Sequence, residues 1–139
     1  MINQVGESEF IKMSEVKAFI LPIHSASYDD ILEIVYQNLP EHSEEKSNFI
    51  DSIHQLYFDN QFDGNILKIE NQVCGFLIFS ILNPNKIDFL ISRTDLKQET
   101  VIGLLLNNHT QKFNLLPEKL EFRIWSHQRD LLTFLHYLK

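Results

Sequence analysis

The chain has 139 residues, 44% of them hydrophobic and 22% charged, which suits one domain with one sizeable core. A net charge of −7 argues against a general nucleic-acid binder, which needs a basic face, and no apolar run approaches the length of a membrane span. The N-terminus has no basic region followed by an apolar one, so no signal peptide is read, and a single cysteine, Cys74, excludes a disulfide framework and fits a reducing, cytoplasmic setting.

Met1 to Met13 is weakly patterned and reads as an N-terminal arm. Val16 to Ile23, VKAFILPI, reads as a first strand. Ser27 is a good N-cap, with Asp29 and Asp30 in a first turn where the helix dipole favours anions. Tyr28, Ile31, Leu32, Val35 and Leu39 then recur at helical spacing until Pro40 stops them. A second helix starts near Ser43 with Phe49, Ile50, Ile53, Leu56 and Tyr57 on its apolar face. Nine acids from Asp29 to Asp63 fall in a stretch where Lys46 is the only base. They read as the solvated face of two helices, and alternatively as a field for a cationic substrate such as an amine.

The polar stretch Asp59 to Gly64 ends the second helix, and Ile66 to Ile69 is the next strand. Glu70-Asn71-Gln72 makes a tight turn into a longer strand from Val73 to Leu82, so a β-hairpin is expected. Gly75 inside that strand predicts a bulge or a close backbone approach. Cys74 beside it reads as a small core residue rather than a nucleophile.

After the turn Asn83-Pro84-Asn85 comes the stretch that carries most information, KIDFLISRTDLKQETVIGLLL from Lys86 to Leu106. Ile87, Phe89, Leu90 and Ile91 are apolar on both faces, as in a buried central strand. Ser92-Arg93-Thr94-Asp95 breaks the run. From Thr100 to about Lys112 a helix is predicted, on Val101, Leu104 and Leu105. Strand, loop and helix start leave free backbone N–H groups that suit an anion. Leu116-Pro117-Glu118 is a connector. Leu120 to Trp125 alternates as a strand, and Ser126 caps a last helix with Leu131, Leu132, Phe134, Leu135 and Leu138 on its buried face. The sequence stops at Lys139 while that helix is still running, so a longer parent chain is expected, with further strands missing from this one.

The order β-α-α-β-β-β-α-β-α gives an α+β class, or α/β with a mixed sheet, in a single domain. From Val16 to Lys139 it resembles the GNAT superfamily of N-acetyltransferases. QVCGFLIF at Gln72 to Phe79 is similar to that family's third strand, with Gly75 at a frequent glycine. IDFLISRTDLKQETVIGLLL resembles the fourth strand, acetyl-CoA loop and following helix, and LEFRIWSHQRDLLTFLHYLK the fifth strand and its helix. The resemblance implies a pantetheine arm lying between splayed fourth and fifth strands, with loop N–H groups on the pyrophosphate. It also implies a general base that frees an acceptor amine to attack the thioester. The cofactor residues carried over are Leu90, Ile91, Ser92, Lys97, Gln98, Glu99, Thr100, Val101, Ile102, Gly103 and Gln128.

The departures lie in the loop itself. The family's Gln/Arg-x-x-Gly-x-Gly/Ala falls on Lys97 to Ile102, where both glycines are gone and Glu99 adds a negative charge beside the pyrophosphate. Gly103 lies one residue late. The family's asparagine falls at Gln128 and its proton-donating tyrosine at Leu135, which donates nothing. Tyr137 lies two residues on, at another helical angle.

Two readings follow. One is a catalytically degenerate domain without cofactor that supports a following domain, a homo-oligomer or another interface. The other is an active N-acetyltransferase that uses acetyl-CoA on a small amine or peptide amine, with Glu70, Asp88 or a histidine as candidate base. The histidines are His24, His42, His54, His109, His127 and His136, with no zinc spacing among them. His127, at the start of the last helix, reads as a cap or surface residue, with a general base as the alternative. No nucleophile elbow and no Walker loop is present. Phe58, Phe62 and Trp125 fit no predicted face cleanly and read as core filling, or else as the lining of a cleft.

Overall fold

The computed structural model describes residues 17–39, 45–125 and 128–138. The elements run β1 (Ala18–Pro22), a 3₁₀ turn (Ile23–Ser25), α1 (Tyr28–Asn38), α2 (Glu45–Tyr57), β2 (Phe62–Ile69), β3 (Gln72–Ser80), β4 (Lys86–Ser92), α3 (Gln98–Phe113), a second 3₁₀ turn (Pro117–Lys119), β5 (Glu121–Phe122) and α4 (Arg129–Leu138). The predicted order holds. The arm before residue 14, Val16, the Pro40 stop, the Ser43 and Ser126 caps, His42 and His127 lie outside the described residues, as do the side chains of His136, Tyr137 and Leu138. Among the described residues no helix is long and apolar enough to cross a membrane.

One five-stranded sheet has the order β1-β2-β3-β4-β5. β1 to β4 are antiparallel neighbours, and β5 joins β4 in parallel through the α3 crossover. The β2–β3 hairpin closes on Glu70 and Asn71 with φ of 51° and 66°, two consecutive left-handed residues whose twist matches that of the strands. The register then slips between Leu67 and Lys68, opposite the segment that holds Gly75. A Cβ on Gly75 would lie 2.5 Å from Val101 Cγ1 and 2.8 Å from the Ile91 carbonyl oxygen. The predicted bulge and the predicted close approach are both present, and the approach is to α3.

β2 starts at Phe62, four residues before the predicted Ile66, because Asp63, Gly64 and Asn65 pair with β3. Their polar composition hid this. Gly64 belongs there because a Cβ would run into the Leu77 carbonyl. β3 stops at Ser80, leaving Ile81 and Leu82 exposed instead of extending the strand. α3 starts two residues earlier than predicted, with Lys97 as N-cap and no side-chain cap bond. α1 begins as read, with Ser27 Oγ accepting from the Asp30 N–H at 3.2 Å.

The sheet has a core on each face. On one, α1 and α2 bring Ile31, Ile34, Val35, Phe49 and Ile53 against Ile66, Phe76, Phe89 and Ile91. On the other, α3 and α4 bring Val101, Ile102, Leu105, Leu131 and Leu135 against Leu77, Ile87 and Leu90. Leu132, expected on the buried face of the last helix, is exposed. Cys74 is buried with its thiol facing the Gln72 carbonyl at 3.3 Å, and burial pushes its pKa up, so it is a core residue and no thiolate nucleophile. His109 is wholly buried, its Nε2 2.7 Å from the Pro84 carbonyl oxygen, and pins α3 to the β3–β4 turn.

Candidate functional site

β4 and β5 pair only at their starts. Lys86 faces Glu121 and Ile87 faces Phe122, and the last bond across the pair runs from the Arg123 N–H to the Ile87 carbonyl at 2.9 Å. The strand predicted from Leu120 to Trp125 is therefore mostly unpaired. Two structural causes coincide at this point. β4 carries a register shift opposite Ile78 and Phe79 that makes Asp88 the extra residue, and a bulge bends its strand. Beyond it, the Gln128 side chain bridges the gap between the two segments.

Gln128, just before α4, spans that space. Its Nε2 donates to the Leu90 carbonyl at 3.2 Å and its Oε1 accepts from the Trp125 N–H at 3.3 Å. The same residue's N–H returns to the Trp125 carbonyl at 2.8 Å. A backbone group on each side of the gap is thus satisfied by one amide, as buried backbone polar groups require. On the α1–α2 side, Trp125 lies parallel to Phe89 at 5.9 Å between ring centres and edge-on to Phe49 at 4.7 Å. The Arg123 guanidinium sits over the outer ring surface of Trp125 at 4.5 Å.

Asp88 lies where the strands part. It is buried, its Oδ2 has no hydrogen-bond partner among the described residues, and burial raises its pKa despite the opposing charges of Lys86 and Arg123. Trp125 Nε1 is likewise buried without a partner among the described residues.

A groove of about 470 Å³ lies between the start of α3 and the face of α4. Lys97, Gln98, Glu99 and Ile102 form one wall and Leu131, Thr133 and Phe134 the other. The loop that leads into it, residues 93 to 97, is tied to α1. Asn38 Nδ2 donates to the Ser92 carbonyl at 2.9 Å, and Arg93, with Asp95 at 3.0 and 3.1 Å and Glu33 at 4.0 Å, holds both sides. The Arg93 guanidinium also faces the Gln72 side-chain amide. The Asp95 carboxyl is correspondingly held below the usual carboxylate range, first by the hydrogen bond from Arg93.

The fold that carries these features is shared with solved acetyltransferases. A ribosomal-protein-alanine N-acetyltransferase from Brucella melitensis biovar Abortus 2308 matches with a TM-score of 0.64 at 13% identity, over 88% of this chain and 90% of its own. An aminoglycoside N-acetyltransferase in complex with CoA matches at 0.58 and 10%, over 88% and 86%. A GNAT family acetyltransferase from Streptococcus pneumoniae TIGR4 matches at 0.58 and 11%, over 88% and 86%. The fold is that of the GNAT acetyltransferases. No protein-family model matches the sequence, and no curated protein matches it.

In the GNAT frame the carried-over residues do not gather in one place. Lys97, Gln98, Glu99 and Ile102 share the groove. Leu90 and Ile91 are buried strand residues on opposite faces, in the α3–α4 core and the α1–α2 core respectively, and Ser92 is buried with its hydroxyl on the Arg93 carbonyl at 3.1 Å. Thr100 points to solvent, Val101 turns inward onto Gly75, and Gly103 lines a separate hollow, so these three are not groove residues. Gln128 stands alone in the strand gap. Leu135, at the family tyrosine position, is buried in the α3–α4 core.

Of the candidate bases, Asp88 is at the gap. Glu70 is exposed in the hairpin turn, and His109 is pinned to Pro84. His24 and His54 belong to a ring cluster with Tyr28, Tyr57 and Phe58, where His54 Nδ1 and the Tyr28 hydroxyl are 3.2 Å apart. Among the described residues no group of three or more His, Cys, Asp or Glu side chains is placed to hold a metal. Sequence reasoning missed Phe49 and the α4 wall of the groove, Leu131, Thr133 and Phe134, as site residues. Their positions in α2 and α4 carried helical periodicity and nothing more.

Proposed function

We propose that this GNAT-fold domain is catalytically degenerate and works through its surfaces, as a support for a neighbouring domain or a second copy. The observation that carries this reading is the Gln128 amide, which joins the Leu90 carbonyl to the Trp125 N–H across the strand gap. A pantetheine arm in that gap would have to displace both bonds. It would also meet the stacked Trp125 and Phe89 rings before reaching an acceptor on the α1–α2 side. At the other end, Ile102 is buried where the family has its second small residue, and Glu99 in the first turn of α3 opposes a pyrophosphate.

The runner-up reading is an active, acetyl-CoA-dependent transferase acting on a small amine. Two observations favour it: the groove of about 470 Å³ at the start of α3, and the Asp88 carboxyl at the strand gap, whose pKa burial raises. Calorimetric titration with acetyl-CoA separates the two. The degenerate reading expects no heat of binding at millimolar cofactor. Dissociation constants in the micromolar range, roughly −8 kcal/mol, would overturn it and make a screen of amine acceptors the next step.

A further inference from the structure

The seam between α3 and α4 opens twice. One turn beyond the groove lies a second hollow of about 160 Å³, closed on its floor by Leu106, Leu120 and Leu135, with Asn107 and Thr110 at its rim. Gly103 lines it from α3, and a Cβ built there meets nothing within 4 Å, so the space beside it is open. Leu106, Leu120 and Leu135 are each no more than 6% exposed, and no charged side chain of the described residues lines the space.

We propose that this hollow is a binding site for a small neutral ligand, a compact ring of about six or seven heavy atoms. Size and chemistry both set the class. Apolar space near 150 Å³ with Leu, Ile or Phe walls takes up benzene-sized guests, and this hollow matches that size with mostly apolar walls, open to solvent on one side. A charged guest would lose its hydration with nothing here to replace it. The rim offers a hydroxyl and an amide; Thr110 Oγ1 donates its proton to the Asn107 carbonyl at 3.0 Å and keeps only acceptor capacity, so a phenol-like ring that donates, or a purely apolar one, suits it better than a strongly polar one. The site is separate from the strand gap and does not depend on whether cofactor binds.

Toluene and phenol serve as probes, read by ¹³C-methyl NMR on the whole 139-residue protein. Saturable shifts confined to the Leu106, Leu120 and Leu135 methyls are expected. Gly103→Leu fills the hollow from the α3 side and should abolish those shifts while keeping the native spectrum elsewhere. Thr110→Leu, at the half-exposed rim, gives the same block should Gly103→Leu fail to fold. Shifts that rise linearly without saturating, that spread across methyls of both cores, or that persist in the blocked variants would overturn the proposal.

Discussion

On the α1–α2 face of the sheet, Phe49, Phe89 and Trp125 close ring against ring beside the strand gap. On the α3–α4 face, hollows of about 470 and 160 Å³ remain along the helix seam. On the degenerate reading proposed above, the difference marks which part of a GNAT fold persists once no chemistry maintains it. The groove at the start of α3 follows from the strand–loop–helix path and needs no particular side chain. A passage between β4 and β5 needs open space at a few positions, and here the Gln128 side chain crosses it, with the Trp125 and Phe89 rings stacked to one side. A hollow on the cofactor side is therefore weak support for activity.

Four substitutions test this contrast, beginning with the largest effect. Phe49→Ala removes the ring that meets both Phe89 and Trp125 from a position with no exposure. It should cost about 3–5 kcal/mol in urea denaturation. A cost well below that would mean that the sealed face is loosely packed. Gly75→Ala brings a methyl against Val101 and the Ile91 carbonyl and should cost about 1–3 kcal/mol through overpacking. A neutral result would show that α3 rides freely over β3.

Asp88 sharpens the comparison through pH. Burial raises its folded pKa, so between the ordinary carboxyl value near 3.8 and that raised value the folded state keeps a proton that the unfolded state has lost. Stability from this residue is therefore present at low pH and falls as pH rises through that window. Asp88→Asn should remove this downward slope and raise the melting temperature at neutral pH. An unchanged pH profile would remove Asp88 from the account. His109 contributes the opposite slope, since burial lowers its pKa and the unfolded chain takes up the proton first as pH falls below about 6.5. Ser27→Ala, remote from the gap, should cost only about 1 kcal/mol through the lost cap on α1. An effect as large as that of Phe49 would show that stability is not concentrated where the rings meet.

Much of the fold was legible because apolar periodicity and punctuation agreed. Pro84, Asn71 and Gly75 each marked a real turn or close approach. What periodicity could not show is where strands pair. Asp63, Gly64 and Asn65 look like loop and are ladder, while Arg123 to Trp125 look like strand and are unpaired. The site divided in the same way. Lys97, Gln98, Glu99 and Ile102, carried over from the family loop, line one groove because a helix start gathers its own residues. Gln128, carried over as a cofactor residue, bridges the gap to Leu90, 38 residues away, a pairing that local spacing does not encode.

The central claim is that the Gln128 amide holds the gap closed, and hydrogen exchange of its side-chain NH₂, followed by NMR with and without millimolar acetyl-CoA, tests it most directly. The account predicts slowed exchange and chemical shifts unmoved by the cofactor. Rapid exchange in the free protein, or a saturable shift with loss of protection on adding acetyl-CoA, would contradict it.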